Sequence, residues 1–243
     1  RPLHVLAFLA PLIALYEIGA AAFLGPAAAG IETIRAHERL ARALDVLGVA
    51  GAFLPWVVLV TILVCNHVIA RDSWRLRPWV LLGMACESAL LTLPLLVLAA
   101  LLFRLAPGTE APPPAMIASL ADLSPLAAPP PLADLPWTAR GVLSIGAGLY
   151  EELVFRLILL AALHMVLADF ARIKPSIAGG IAIAVSAVAF ALYHDLSADA
   201  DALAQSAFYV LAGLYFGLVF VLRGFGVVVG VHALYDFLVL VVL

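Results

Sequence analysis

Apolar runs about twenty residues long recur along this chain, near residues 3–24, 45–70, 78–103, 138–168, 175–194, 203–222 and 225–243. A helix needs ~20 predominantly apolar residues to cross a bilayer, and each run meets or approaches that length with few charges. The expected fold is therefore all-α: a polytopic transmembrane bundle of about seven spans, with six to eight as the bounds. Composition agrees, because 65% of residues are hydrophobic and 12% are charged, against ~45–50% and ~25% in soluble domains. A net charge of -3 and a pI near 6.0 leave no basic surface for phosphate backbones, and no nucleic-acid motif is present, so nucleic acid is not an expected partner. Membrane lipid is.

The bundle reads as one integral membrane domain over 1–243. The N-terminal spans fill 1–103, a Pro/Ala-rich loop fills 104–137 with Pro112, Pro113, Pro114, Pro129, Pro130 and Pro131 among its prolines, and a back half covers 138–243. The 138–168 run is too long for a simple span at ~1.5 Å per residue, so it should tilt or project from the membrane at its C-terminal end. The first run exceeds a signal-peptide core and counts as a span. Cys65 and Cys86 lie inside apolar runs without zinc-ribbon or redox spacing and read as ordinary thiols. Placing the N-terminus in the cytoplasm puts Arg1, Arg71, Arg75, Arg77, Arg172, Lys174 and Arg223 on that side, against Arg35, Arg39, Arg42, Arg104 and Arg140 opposite, a modest positive-inside bias.

Ionisable residues inside a span cost about 2.5–3.5 kcal/mol on insertion scales, so each invites a functional question. In the front half Glu17 and Glu87 read as packing residues, and His67 and His164, near helix ends, as interfacial. The back half differs. Glu151-Glu152-Leu153-Val154-Phe155-Arg156 puts three charges within two turns of an apolar helix. Four residues apart, Glu152 and Arg156 share a face and can pair. Glu151 is rotated by about 100°, which leaves its carboxylate available. The next span closes on Phe190-Ala191-Leu192-Tyr193-His194, and the last holds His232-Ala233-Leu234-Tyr235-Asp236, with His232 and Asp236 on one face. Burying these groups singly is costly, so three helices should bring them into one polar cluster.

Glu-Glu-x-x-x-Arg, Phe-x-x-x-His and His-x-x-x-Asp, in that order on successive spans, resemble the motifs of the CPBP intramembrane proteases, also called the CAAX protease and bacteriocin-processing or ABI family. The similarity covers about residues 137–243. It implies a glutamic-type endopeptidase in which Glu151 and His194 activate a water, Glu152 and Arg156 hold the first motif in shape, and His232 with Asp236 stabilises the oxyanion. It further implies a multi-pass protein of a prokaryotic plasma membrane. Asparagine is commoner at the last position, and an ionised aspartate cannot donate a hydrogen bond, so Asp236 is expected to orient His232 and leave His232 as donor. A zinc-dependent version would use Glu151, His194 and His232 as ligands; without an HExxH helix the metal-free reading, with no cofactor, is preferred.

The chemistry stands without the resemblance, since amide hydrolysis needs a water, a base and donors aimed at the developing oxyanion. A hydrophobic or membrane-anchored peptide is the expected substrate. The acidic residues Asp195, Asp199 and Asp201 beside His194 lie on the extracytoplasmic side of this topology and favour a substrate there. Two alternatives remain: a noncatalytic membrane scaffold or immunity protein of the same fold, and a small transporter using Glu151 and His194 as a proton relay, for which inverted repeats are missing. No Gly-x-Ser-x context surrounds Ser144, Ser186 or Ser206, and Asp236 lacks the second aspartate of an aspartyl intramembrane enzyme. Gly224-Phe225-Gly226 reads as a tight interhelical turn rather than a nucleotide fingerprint, and Gly213 and Gly217 as a close-packing pair, within or between subunits.

Overall fold

A computed structural model describes residues 1–24, 54–105, 135–194 and 202–243. The described residues are helical, with no strand among them. Seven helices follow one another: α1 (Pro2–Gly19, extended by wider π-helical turns over Ala20–Leu24), α2 (Leu54–Ile69), α3 (Pro78–Leu105), α4 (Trp137–Glu152, continuing to Phe170), α5 (Pro175–Tyr193), α6 (Ala202–Arg223) and α7 (Phe225–Phe237, extended over Leu238–Val242). Pro2 and Pro175 open their helices at the first turn, where the missing N–H has no intrahelical partner to lose.

Six of these helices are long and apolar enough to cross a membrane, and the described part of α2, Trp56–Ile69, is a shorter apolar helix. The protein is thus an integral, multi-pass membrane protein, and the helical spans expected from hydropathy are found with boundaries shifted by a few residues. Most of the 104–137 loop, the start of the 45–70 run, Arg35, Arg39, Arg42, Asp195, Asp199 and Asp201 lie outside the described residues. The long fourth run is one continuous helical rod of 34 residues, Trp137–Phe170. At ~1.5 Å per residue this approaches ~50 Å, well beyond a ~30 Å hydrocarbon core. The rod is not regular: Leu153–Leu160 and Val166–Phe170 adopt π-helical geometry, and the first of these stretches begins directly after Glu152.

Small residues and hydroxyls join the helices. In α3, Ser88 donates to the Val227 carbonyl at 3.3 Å and Thr92 approaches the Val231 carbonyl at 3.3 Å, fastening α3 along α7; Tyr215 of α6 donates to the Leu91 carbonyl at 2.6 Å. Interhelical hydrogen bonds of this kind, with close packing at small residues, hold helices together where no hydrophobic effect can. Gly213 and Gly217 do pack closely within the chain, against Ala187 and Ile183 of α5. Gly224 forms the whole connection between α6 and α7; its φ of +90° is a conformation that side-chain-bearing residues rarely adopt, which suits glycine.

The front-half charges also acquire partners. Tyr150 donates to Glu17 at 2.9 Å and thereby ties α1 to α4, and Glu87 forms an ion pair with Arg223. His67 is buried at the end of α2, edge-on to Trp74 at 4.3 Å, and His4 accepts a hydrogen bond from the Arg77 N–H at 3.2 Å. With the Arg1 side chain beside Asp72 at 3.9 Å, the start of α1 and the α2–α3 turn sit at the same end of the bundle.

Gly148 marks the closest approach of α4 to α7: a Cβ there would lie 2.7 Å from the Ala233 nitrogen and 2.9 Å from its Cα. Backbone cannot give way as a flexible side chain can, so Gly148→Ala is expected to destabilise by ~1–3 kcal/mol through overpacking. Gly180, with nothing within 4 Å of its would-be Cβ, is the matched control. Thermal unfolding in detergent should show a lower midpoint for Gly148→Ala and an unchanged or higher one for Gly180→Ala.

Candidate active site

All six residues singled out from the sequence meet in one place, each at most 3% exposed: Glu151, Glu152 and Arg156 from α4, His194 from the end of α5, and His232 and Asp236 from α7. The polar cluster expected from the cost of burying them separately is therefore what the fold builds. Helical geometry explains the internal division. Glu152 and Arg156, one turn apart, form an ion pair at 3.0 Å. Glu151 projects elsewhere, and its Oε2 lies 3.8 Å from His194 Nε2 and 3.9 Å from His232 Nε2. At those distances neither imidazole bonds it directly, and Oε2 has no hydrogen-bond partner among the described residues.

His194 caps α5. Its backbone has already left helical geometry, with φ -82° and ψ 145°, while its Nδ1 lies 2.8 Å from the Phe190 carbonyl one turn back. A carbonyl can only accept, so Nδ1 carries the hydrogen; in the neutral ring Nε2 is then the acceptor, and it is Nε2 that faces Glu151. His232 is held differently. Its Nδ1–H donates to Glu152 Oε1 at 2.7 Å, and its Nε2 is 3.4 Å from Asp236 Oδ2.

Asp236, one turn from His232 on α7, faces the other edge of the ring, its Oδ2 at 3.4 Å from Nε2, and the shorter bond to the imidazole comes from Glu152. Glu152 Oε1 is shared between Arg156 and His232, so one oxygen fixes two other site residues. The reason is packing: Gly148 lets α7 come close to α4, which brings His232 to the Glu152 face of the helix.

Arg156 is fully buried. Its Nη2 donates to the Gly213 carbonyl at 3.3 Å, and its guanidinium carbon lies 4.5 Å from the centre of the Phe190 ring and 5.1 Å from that of Phe216. Both distances fall within cation–π range. Phe190 is the first residue of the second motif, but sequence reasoning missed Phe216, along with Tyr209, whose ring stacks on His194 at 4.1 Å. A signal existed in the spacing of Tyr209 and Phe216, seven residues apart and thus on one helix face, but it looks like ordinary core packing. Ser144 and Ser186, considered as nucleophiles, give their hydroxyl hydrogens to the carbonyls of Arg140 and Phe155, both at 2.8 Å. The latter bond reaches from α5 into the π-helical stretch of α4. Such widened turns often occur at functional sites.

The zinc version requires Glu151, His194 and His232 to converge as ligands. Among the described residues no group of three or more His, Cys, Asp or Glu is arranged to hold a metal ion. Ligand atoms at ~2.0–2.2 Å from one tetrahedral zinc lie closer together than the 3.8 and 3.9 Å that separate Glu151 from the two imidazoles. Glu151 thus stands a few tenths of an ångström farther from each imidazole than two ligands of one tetrahedral zinc would.

Residues 134–238 match the family model for type II CAAX prenyl endopeptidase Rce1-like proteins. That segment holds all six site residues, and the match bears out the resemblance to the CPBP/CAAX proteases. No curated protein and no solved structure is a match to the chain.

Removing one member of a buried ion pair strands the other, at about 3–5 kcal/mol. Arg156→Ala is accordingly expected to lower the thermal midpoint sharply, since it leaves Glu152 without its cation. Arg156→Ala with Glu152→Gln should recover part of that loss, a coupling that a double-mutant cycle on detergent-purified protein would measure.

Proposed function

We propose that this protein is an intramembrane endopeptidase that hydrolyses a peptide bond in a membrane-associated protein or peptide, with a water activated by Glu151 and His194. The observation that carries the reading is the pair of distances from Glu151 Oε2 to His194 Nε2 and His232 Nε2, 3.8 and 3.9 Å. Atoms so spaced can each reach the same oxygen at a hydrogen-bonding distance of ~2.8 Å, although they are too far apart to bond each other.

A water held by Glu151 and His194 would direct one hydrogen to the carboxylate and one to the imidazole Nε2, leaving a lone pair for the peptide carbonyl carbon. As the oxygen attacks, one proton passes to this base pair and negative charge gathers on the former carbonyl oxygen. His232 can donate to that oxyanion from Nε2 when both its ring nitrogens carry hydrogen, and the carboxylates of Glu152 and Asp236 beside the ring supply counter-charge for the cation. Collapse of the tetrahedral species breaks the C–N bond. The proton held by Glu151 and His194 then goes to the departing amine, and the products are a carboxyl and an amino terminus. Glu152 and Arg156 touch no reacting atom in this scheme; they set the position of His232.

The depth of the site among apolar helices supports a substrate that is itself hydrophobic or membrane-anchored. The match to prenyl endopeptidase-like proteins supports a peptide bond as the target. A noncatalytic scaffold of the same fold has no observation in its favour, because all six ionisable residues of the three motifs are present and buried in the cluster.

The test is cleavage of a library of membrane-anchored peptides by purified protein in lipid discs. Removing a positioned acid or base costs ~10²–10⁴-fold, so Glu151→Ala and His194→Ala should each reduce kcat at least a hundredfold while the folded protein is still recovered. Equal cleavage by wild type and both variants would remove the mechanism. A zinc chelator should leave the rate unchanged; activity lost to the chelator and restored by zinc would replace the metal-free scheme with the metal-dependent one.

A further inference from the structure

Helix α6 brings no acid or base to the cluster, yet it touches both imidazoles. Tyr209 lies face to face with His194, ring centres 4.1 Å apart and planes inclined by 14°, and Phe216 lies face to face with His232, at 4.5 Å and 20°. The two aromatics are seven residues apart, two helical turns, and so share a face. Between them on that face, Gly213 receives Arg156 on its carbonyl and leaves room for Ala187 of α5. Phe190 meets both histidines at wider angles, His194 at 59° and His232 at 72°, and the other ring pairs around it are steep, Phe155 at 87° and Phe216 at 81°. The two pairs closest to parallel are those in which α6 meets the histidines; Phe208 on Tyr235, at 29° and 5.8 Å, is more open.

Geometry gives this arrangement a purpose. The torsion that sets the plane of a histidine ring is a soft sp³–sp² rotation with broad minima, so rotamer preference alone does not fix the plane. Hydrogen bonds at Nδ1, to the Phe190 carbonyl for His194 and to Glu152 for His232, hold one edge of each ring and still allow it to tilt about that edge. An aromatic plate against the face blocks the tilt while keeping the in-plane direction of Nε2 open toward Glu151. We propose that Tyr209 and Phe216 are positioning residues, a pair of plates on α6 that hold His194 and His232 in the planes their nitrogens need. Only the kinetic consequence rests on the peptidase reading; the plates themselves do not.

Displacing a reacting group by about 1 Å can cost ~10²-fold in rate. Tyr209→Leu and Phe216→Leu, which keep bulk and lose the plate, should lower kcat by about tenfold or more with KM unchanged, and Tyr209→Phe, which keeps the ring, should stay within about twofold of wild type. The second measurement needs no substrate. In protein with isotope-labelled histidine, the His194 and His232 ring protons, assigned by His194→Gln and His232→Gln, should resonate upfield of free histidine because each lies over an aromatic face. Tyr209→Leu should release the His194 signal alone, and Phe216→Leu the His232 signal alone. Wild-type ring signals at free-histidine positions, signals unmoved by the leucine variants, or leucine variants with wild-type kcat would each overturn the proposal. Should the leucine variants fail to fold, the wild-type shifts and the Tyr209→Phe kinetics still decide it. Upfield histidine signals in a protein that cleaves no peptide would sink the peptidase reading and leave the plates standing.

Discussion

One carboxylate oxygen holds this site together. Glu152 Oε1 meets the Arg156 guanidinium at 3.0 Å and the His232 imidazole at 2.7 Å, all three residues fully buried. Because Arg156 in turn reaches the Gly213 carbonyl of α6 and lies against Phe190 of α5, that single oxygen relates α4, α5, α6 and α7. A buried ion pair is weak support for stability, since desolvation offsets much of the attraction. Its strength here is discrimination. A slip of any of these helices by one turn would leave a charge without its partner in an apolar interior, at a cost of several kcal/mol. The arrangement that satisfies all of them is strongly selected.

Glu151 has the opposite character. It sits beside the anchored pair and is itself left without a hydrogen bond at Oε2 among the described residues. Adjacent residues on one helix point about 100° apart, so a Glu-Glu pair supplies from a single turn one carboxylate committed to structure and one able to act. Nearby elements serve the same division of labour. Tyr150, on the preceding position, turns away from the cluster to Glu17 and fixes the opposite side of α4 against α1.

Much of this was legible in the residues. Apolar runs near twenty residues gave the helices because hydrocarbon imposes a length, and the i, i+4 relation of Glu152 and Arg156 gave the ion pair because it is local. What could not be read lies across the chain. The bond from His232 to Glu152 joins residues 80 positions apart and depends on the close approach at Gly148, so only the nearer Asp236 could be read as a partner of His232. The stacking of Tyr209 and Phe216 was hidden for a different reason: aromatic residues at helical spacing are what any apolar core contains, and only the tilt of the rings separates a plate from packing. The π-helical turns after Glu152 also left no mark that periodicity could detect.

The single-residue link at Gly224 carries a mechanical implication. The Gly224 N–H bonds back to the Phe220 carbonyl at 2.9 Å, and the Gly224 carbonyl receives the Val228 N–H at 3.3 Å, so the corner is braced from both helices. With no slack between them, α6 and α7 resemble the prongs of a rigid fork, and neither can slide lengthwise past the other. Phe216 and His232 sit on opposite prongs. The corner therefore keeps these two stacked rings in lengthwise register with each other.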